Sequence, residues 1–250
     1  MNKLNLNESN FKWLEDRTIL LAKSGSFAYG TNTKQSDRDF KGVCLPPIEY
    51  YLGLQSFNSY DKSGGKNFKN TKDDVDVSVF HINKFVSDLM SGVPNSIELL
   101  FNRDEDYLKV THLGERLIEN RHLFLSKAVY RKFGGYAYSQ IHKLKRSQVK
   151  EDELIGIRDY NTKMFMHGVR LLTSAIEILE THDYSTYRPN KELLLDCRNG
   201  KYSFKEAVEM LEHYDNELKI SFEKSTLRKK PDYKQVNELL ISINREGLAL

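Results

Sequence analysis

Residues 24–43, with the sequence SGSFAYGTNTKQSDRDFKGV, place a Gly-Ser pair and two aspartates within one short stretch. The apolar run TILLA at 18–22, which precedes them, predicts a buried strand. Gly25 and Ser26 then suit a turn, and residues 37–45, DRDFKGVCL, predict a second strand that ends before a Pro-Pro pair. We therefore expect a hairpin-like pair of strands joined by a loop.

The two aspartates of this stretch predict a metal site. Asp37 and Asp39 are two positions apart, so their side chains point the same way in an extended strand, roughly 6 to 7 Å apart. At an effective dielectric constant of 20, their repulsion would be about 2 to 3 kcal/mol. Arg38 points to the opposite face, whereas a divalent cation bound by both carboxylates would make the interaction favourable.

A third acid is expected from residues 74–80, DVDVSVF, where valines alternate with polar residues as in a half-buried strand. Asp76 has apolar neighbours on both sides and is the preferred candidate, although Asp74 lies on the same strand face and Asp73 is near. Three carboxylates favour Mg²⁺ or Mn²⁺, as one ion or two, and the third acid could also accept a proton as a general base.

Gly25 and Ser26 are candidate phosphate-binding residues. A glycine lets the backbone approach a triphosphate closely and exposes N–H groups to its oxygens. The Ser26 hydroxyl can add a contact, and a short helix formed by FAYGT would direct its dipole toward the same phosphates.

The remaining pattern predicts a small domain of strands and helices followed by a helical domain. Residues 56–73 are polar and contain two adjacent glycines, which indicates a surface loop. Beyond it, apolar residues recur every three or four positions, which predicts two short helices, INKFVSDLM and PNSIELLF, and then long ones at 126–146, 158–181, 203–222 and 232–246. We place the first domain at 1–105, and a helical domain that closes the cleft at 106–250.

One polar helix face is a second candidate binding element. Lys163, His167 and Arg170 share it, together with Ser174 and Glu177. The two cations would offset the charge of a triphosphate, and a guanidinium matches phosphate oxygens well. The same row is equally consistent with an ordinary solvated face.

Two basic clusters, HKLKRSQVK at 142–150 and STLRKKPDYK at 225–234, could contact an RNA or DNA acceptor or could be solvated surface. Aromatic residues at helical spacing are expected in the core rather than as base-stacking platforms. These aromatics are Tyr130, Phe133 and Tyr136 to Tyr138.

The composition limits the classes of protein to which the chain can belong, but it does not indicate a binding partner. The chain has 250 residues, 39% of them hydrophobic, and its 38 basic and 35 acidic side chains give a net charge of +3, which permits but does not require nucleic acid. Cys44 and Cys197 lie far apart, so neither a disulfide framework nor a zinc site is indicated and a reducing cytoplasm fits best. The N-terminus lacks the apolar core of a signal peptide, and no apolar run approaches the ~20 residues of a membrane span.

The segments GSFAYGT, SDRD and VDV, in this order, resemble the signature of the DNA polymerase beta-like nucleotidyltransferase superfamily. More narrowly, GSFAYGTNTKQSDRDFKGV, INKFVSDLMSGVPNSIELLF and KMFMHGVRLL resemble predicted nucleotidyltransferases found alongside RNA ligases. The resemblance implies an α+β fold in which a small mixed-sheet, polymerase beta-like palm domain precedes a helical domain.

The same resemblance implies a cytoplasmic, metal-dependent enzyme. It would move a nucleoside monophosphate from an NTP to an acceptor hydroxyl, RNA or tRNA ends being candidates, and release pyrophosphate. The alternative is a non-catalytic nucleotide- or RNA-binding module of the same fold. The candidate catalytic and metal-binding residues are Asp37, Asp39 and Asp76, and the candidate nucleotide-binding residues are Gly25, Ser26, Lys163, His167 and Arg170.

Overall fold

The structure, a computed structural model, describes residue 6 and residues 9–63, 74–147 and 160–249. The strands in these ranges are β1 (Thr18–Ser24), β2 (Arg38–Cys44), β3 (Ser59–Lys62), β4 (Val75–His81) and β5 (Tyr107–Val110). The α-helices are α1 (Leu14–Arg17), α2 (Gly25–Tyr29), α3 (Glu49–Leu52), α4 (Ile82–Met90), α5 (Pro94–Leu100), α6 (His112–Glu119), α7 (Ala128–Ser147), α8 (Thr162–Thr181), α9 (Lys191–Arg198), α10 (Phe204–Lys224) and α11 (Tyr233–Leu248). Short 3₁₀ helices occur at Asp104–Asp106 and Arg121–Phe124.

The strands form one mixed sheet in the order β3-β4-β2-β1-β5. β1 pairs antiparallel with both β2 and β5, and β3 pairs antiparallel with β4. β2 and β4 run parallel, because the segment between them crosses back through α3 and β3. Together with the helices this sheet gives the α+β class that was expected, including the predicted antiparallel pair of β1 and β2.

The two faces of the sheet pack against different groups. On one face Cys44, Val77 and Val79 are buried in a small cluster with Phe57 and other aromatic rings near the N-terminus. The alternation of the strands puts Asp39 and Val43 of β2 on the other face, where Val43 belongs to the main core. The half-buried acids therefore lie on the face of the sheet that packs against the main core and its helices.

The helical part packs around α8, which contacts α7, α9 and α10. Side chains cap three of its long helices: Asn161 at α8, Ser203 with Glu206 in a capping box at α10, and Asp232 at α11. The main core is continuous from Ile19 in β1 to Ile243 in α11. The division of the chain at residue 105 stays a prediction.

Two strands were not predicted. β3 lies within residues 56–73, where the sequence indicated only a loop, and residues 64–73 of that loop lie outside the described ranges. β5 follows the proposed boundary at residue 105 and nevertheless joins the sheet through β1. Both are four-residue strands at the edges of the sheet, where short, polar strands are common and the alternation of apolar residues is weak.

The aromatic residues of α7 are only partly in the core. Phe133 is fully buried as expected, but Tyr136 is 52% and Tyr138 62% exposed, so the expectation was wrong for these two. Tyr136 and Tyr138 follow Phe133 by three and five residues on α7, and the packing of the helix leaves both side chains exposed. Most of the basic cluster at 142–150 lies outside the residues whose side chains are described.

Within the described ranges, no helix is both long enough and apolar enough to cross a membrane.

Candidate active site

The register of β2 and β4 brings the predicted acids together. Asp39 lies directly opposite Asp76 in the parallel pair, and Asp37 immediately precedes β2. Carboxylate oxygens of the three residues all lie within 4.8 Å of one another. Asp74 is outside this group; its backbone carbonyl instead accepts a hydrogen bond from the N–H of Arg38. The geometry thus groups Asp76, rather than Asp74, with the first two acids.

The electrostatics of this group favour a cation. Burial raises the pKa of the Asp39 carboxyl, and the charges of Asp37 and Asp76 raise it further. Lys41 and Lys163 lower the same pKa without offsetting the rise. A divalent ion held by three carboxylates would remove the repulsion, and oxygen ligands are those that Mg²⁺ and Mn²⁺ prefer. The residues present therefore fit such an ion.

Gly25 allows the loop to lie against the acids. Its φ is +60°, in the left-handed region, and a Cβ at this position would lie 2.2 Å from Oδ2 of Asp39. The next residue, Ser26, has a buried hydroxyl that finds no hydrogen-bond partner within the described part of the chain. Gly25 therefore borders the carboxylate group, and the hydroxyl of the adjacent Ser26 is left without a hydrogen-bond partner among the described residues.

A buried polar cluster joins the short helix after this turn to the helical part. Glu98 of α5 pairs with the Nη1 atom of Arg170, and it accepts a hydrogen bond of 2.8 Å from the hydroxyl of Tyr29 in α2. The guanidinium of Arg170 also lies 4.0 Å from the centre of the Tyr29 ring. Burial alone would raise the pKa of Glu98, but Arg170 and Lys41 outweigh it and lower that pKa. The cluster holds a full ion pair in the core.

The candidate nucleotide-binding residues of α8 lie in different surroundings. Lys163 is exposed, and its charge lowers the pKa of Asp39, so it lies within electrostatic range of the acids. Burial lowers the pKa of His167 to about 3, and the charges of Arg170 and Lys163 contribute. Arg170 is 5% exposed and paired with Glu98, so the alternative of a solvated face is wrong for this residue.

Lys41 and Glu98 are two residues of the site that were not predicted from the sequence. Lys41 follows Asp39 by two positions on β2 and so shares its face, which the period of two could have indicated. Its pKa is lowered by burial, against the opposing charges of Glu98 and Asp39. Glu98 is the single acid in the buried run PNSIELL, and an acid at a core-facing helix position signals a buried partner.

Comparison with known proteins identifies the family. The profile of the RNA repair pathway DNA polymerase beta family matches residues 2–242. An uncharacterised 38.9 kDa protein of the nrdC–mobD intergenic region of Enterobacteria phage T4 is 27% identical over 146 residues. That match covers 57% of this chain and 42% of the phage protein, so the aligned part spans less than half of that relative.

Among solved structures, a nucleotidyltransferase-like protein from Exiguobacterium sibiricum 255-15 aligns over 93% of this chain and 72% of its own, with 9% identity and a TM-score of 0.29. The match to the family profile extends over nearly the whole chain, including the strands with the three acids and helix α8. The chain therefore belongs to the RNA repair pathway DNA polymerase beta family.

Proposed function

We propose that this protein is a metal-dependent nucleotidyltransferase that moves a nucleoside monophosphate from an NTP to an acceptor hydroxyl. The observation that supports it most directly is the group of three carboxylates, within 4.8 Å of one another, beside the turn at Gly25 and Ser26. Membership of a polymerase beta family supports the same class of reaction.

Asp37, Asp39 and Asp76 would hold Mg²⁺ or Mn²⁺. When bound, the ion would neutralise charge on the triphosphate oxygens and polarise the acceptor hydroxyl. The chain's own residues would do the rest: the amides of Gly25 and Ser26, together with the Ser26 hydroxyl, bind phosphate oxygens, and Lys163 adds positive charge. Near these groups the acceptor oxygen bonds to the α-phosphorus, the bond from that phosphorus to the bridging oxygen breaks, and pyrophosphate leaves.

The proton of the acceptor hydroxyl needs a base. Asp76 is our candidate because it belongs to the carboxylate group, and a carboxylate is a competent general base for a hydroxyl whose pKa is lowered in the site. His167 is a weaker candidate, because its lowered pKa makes the imidazole a poor proton acceptor and it does not belong to the carboxylate group.

For the acceptor, we favour an RNA end. The family to which the chain belongs is named for an RNA repair pathway, and this supports RNA over a small-molecule alcohol or a protein side chain. The exposed basic residues Lys229 and Lys230, in the predicted cluster at 225–234, are a further site for phosphate contacts.

The test follows the α-phosphate. The full chain is incubated with each of the four NTPs labelled with ³²P at the α-phosphate, with Mg²⁺ or Mn²⁺, and with total RNA or cell extract. We expect label in an RNA product and release of pyrophosphate. The double variant Asp37→Asn with Asp39→Asn should lose the transfer while keeping its folded far-UV and near-UV spectra.

A matched control removes the same number of negative charges at other positions. Asp196→Asn with Asp215→Asn removes two surface carboxylates that pair with Lys201 and Lys219, and should leave the transfer unchanged. Turnover that survives in the Asp37 and Asp39 double variant would end the proposal. Nucleotide binding without divalent metal, and without pyrophosphate release, would indicate a non-catalytic nucleotide- or RNA-binding module.

A further inference from the structure

A cleft of about 160 Å³ lies between α5, α7 and α8. Asn95 of α5, Gln140 and Tyr136 of α7, and His167 and Arg170 of α8 line it. Two of these residues are the inner members of the row that the sequence analysis assigned to the nucleotide. The cleft has no role in the phosphate chemistry described above.

The cleft is placed to receive the other end of a nucleotide. His167 and Arg170 lie about 6 and 10 Å along α8 from Lys163, which acts on Asp39. In an NTP a ribose separates the base from the phosphates, so the two ends need adjacent but distinct sites. Phosphates at the acids and Lys163 would therefore direct the base along α8 and into this cleft.

Arg170 provides an independent sign of a ligand. The side chain is 5% exposed and its Nη1 atom pairs with Glu98, but its buried Nε–H has no hydrogen-bond partner within the described part of the chain. An unpaired buried donor costs about 1 to 3 kcal/mol, so a ligand that supplied an acceptor to this atom would be stabilising. His167, held neutral by its lowered pKa, offers one donor and one acceptor beside it.

The remaining lining matches a particular base. Tyr136 presents a ring that is 52% exposed, and Pro94 and Leu171 add apolar surface, which suits a stacked aromatic ligand. The carboxamides of Asn95 and Gln140 each offer a donor and an acceptor side by side, the pattern that complements the amino group and ring nitrogen of adenine. None of the described residues that line the cleft is acidic, so the paired donors of guanine would lack a carboxylate.

We propose that this cleft binds the adenine base of the donor nucleotide, so that ATP is the preferred substrate, with Tyr136 stacking on the base and Gln140 reading its edge. The proposal rests on the proposed function, because it takes the acids as the phosphate end of the same site.

The experiment is equilibrium binding of ATP, GTP, CTP and UTP to the full chain with Mg²⁺ and without RNA, for the wild type and three variants. We expect the wild type to bind ATP about tenfold more tightly than GTP. Gln140→Leu should weaken the binding of ATP about tenfold with little effect on the binding of GTP, and so remove most of that preference. Tyr136→Ala should weaken the binding of all four nucleotides. Tyr138→Ala changes another exposed tyrosine of α7, which does not line the cleft; it is the matched control and should alter neither affinity nor preference.

The outcomes separate this proposal from the function itself. Equal binding of the four nucleotides by the wild type, or a Gln140→Leu variant that behaves like Tyr138→Ala, overturns the adenine cleft, while label transfer measured in a separate assay of the same proteins with labelled NTP and RNA still supports the enzyme. A preference for adenosine seen only at the 3′ end of an added RNA, and not with free ATP, also overturns it. Absence of both binding and transfer with every nucleotide overturns the cleft and the function together.

Discussion

At the scale of single residues, the site depends on one close approach. Gly25 has φ +60° and lies so near Asp39 that a Cβ would overlap its carboxylate oxygen at 2.2 Å. The absence of a side chain is therefore needed twice, for the backbone angle and for the space beside the acid. This explains why the sequence has a glycine where the first strand meets the turn.

Replacing Gly25 with alanine, Gly25→Ala, should damage both stability and activity. The left-handed backbone costs a non-glycine residue about 1 kcal/mol, and the overlap requires Asp39 or the turn to move. We expect a lower free energy of unfolding in urea and loss of most transfer. Gly135→Ala is the control: in α7 nothing lies within 4 Å of the added Cβ, and the change should raise the free energy of unfolding by about 0.5 to 1 kcal/mol. Wild-type transfer by the Gly25→Ala protein would contradict the role of this contact.

The third acid can be assigned by comparing Asp76 of β4 with Asp74, which immediately precedes that strand. Because Asp76 belongs to the carboxylate group and Asp74 does not, Asp76→Asn should lower the transfer rate by about a hundredfold or more, whereas Asp74→Asn should change it only a few-fold. Both replacements keep side-chain size and remove one charge. Initial transfer rates at saturating NTP and Mg²⁺ distinguish the two variants. An equal loss of rate in both would show that membership of the carboxylate group does not determine which acid is needed.

At the scale of elements, one buried cluster joins three helices. Tyr29 of α2, Glu98 of α5 and Arg170 of α8 meet in the core through an ion pair and a hydrogen bond. These residues lie in the three sequence segments that resemble the nucleotidyltransferase family. The cluster therefore connects the turn beside the acids with the helix that presents Lys163 and His167.

Breaking this pair should be costly. Glu98→Gln leaves the guanidinium of Arg170 without a counter-charge in the core, so we expect the free energy of unfolding to fall by about 3 to 5 kcal/mol. The double variant Glu98→Leu with Arg170→Met should lose less than the sum of its single changes, because no charge is left unpaired. A double-mutant cycle from urea unfolding measures the difference.

The control for this cycle is the surface pair of Asp215 and Lys219, whose partners are four residues apart on α10. Asp215→Asn should leave the urea midpoint unchanged within error, because water already solvates both charges. If Glu98→Gln changed the free energy of unfolding as little as this control does, the buried pair would not stabilise the packing of these helices.

At the scale of the whole molecule, one core runs from the sheet to the last helix, so a charge introduced between helices affects global stability. Burial lowers the pKa of His167 to about 3, and the charges of Arg170, Lys163 and Arg198 contribute to the lowering against the opposing charge of Glu98. The unfolded chain, with an ordinary histidine pKa near 6.5, binds a proton that the folded protein does not. Stability from this group is therefore complete above pH 6.5 and is lost as the pH falls toward 3.

This predicts a specific acid dependence. Between about pH 6 and pH 4, His167 should lower the free energy of unfolding of the wild type by up to about 1.4 kcal/mol per pH unit. His167→Gln should show a shallower decline, and His213→Gln, at an exposed position in α10, should follow the wild type. Urea unfolding at several pH values gives the three curves. Parallel curves for wild type and His167→Gln would contradict a histidine that the folded protein holds neutral.

Much of the site could be predicted from local patterns. Alternation along a strand is a property of the backbone, so residues 37–43 already placed Asp37 and Asp39 on one face, and Gly25 with Ser26 marked the turn before them. The long helices could likewise be predicted from their apolar repeat, to within a few residues at most of the boundaries. The short edge strands β3 and β5 could not, because pairing with a neighbour rather than their own composition makes them strands.

The contacts between distant segments required the folded chain. Asp76 rather than Asp74 joins the acids because β2 and β4 pair in parallel with Asp39 opposite Asp76, a register that no local pattern specifies. Arg170 is buried against Glu98 rather than solvated because α5 and α8 pack together, and Tyr136 faces a cleft because α7 packs beside them. Sequence periodicity orients a side chain relative to its own element, whereas its partner is chosen by the packing of that element against the others.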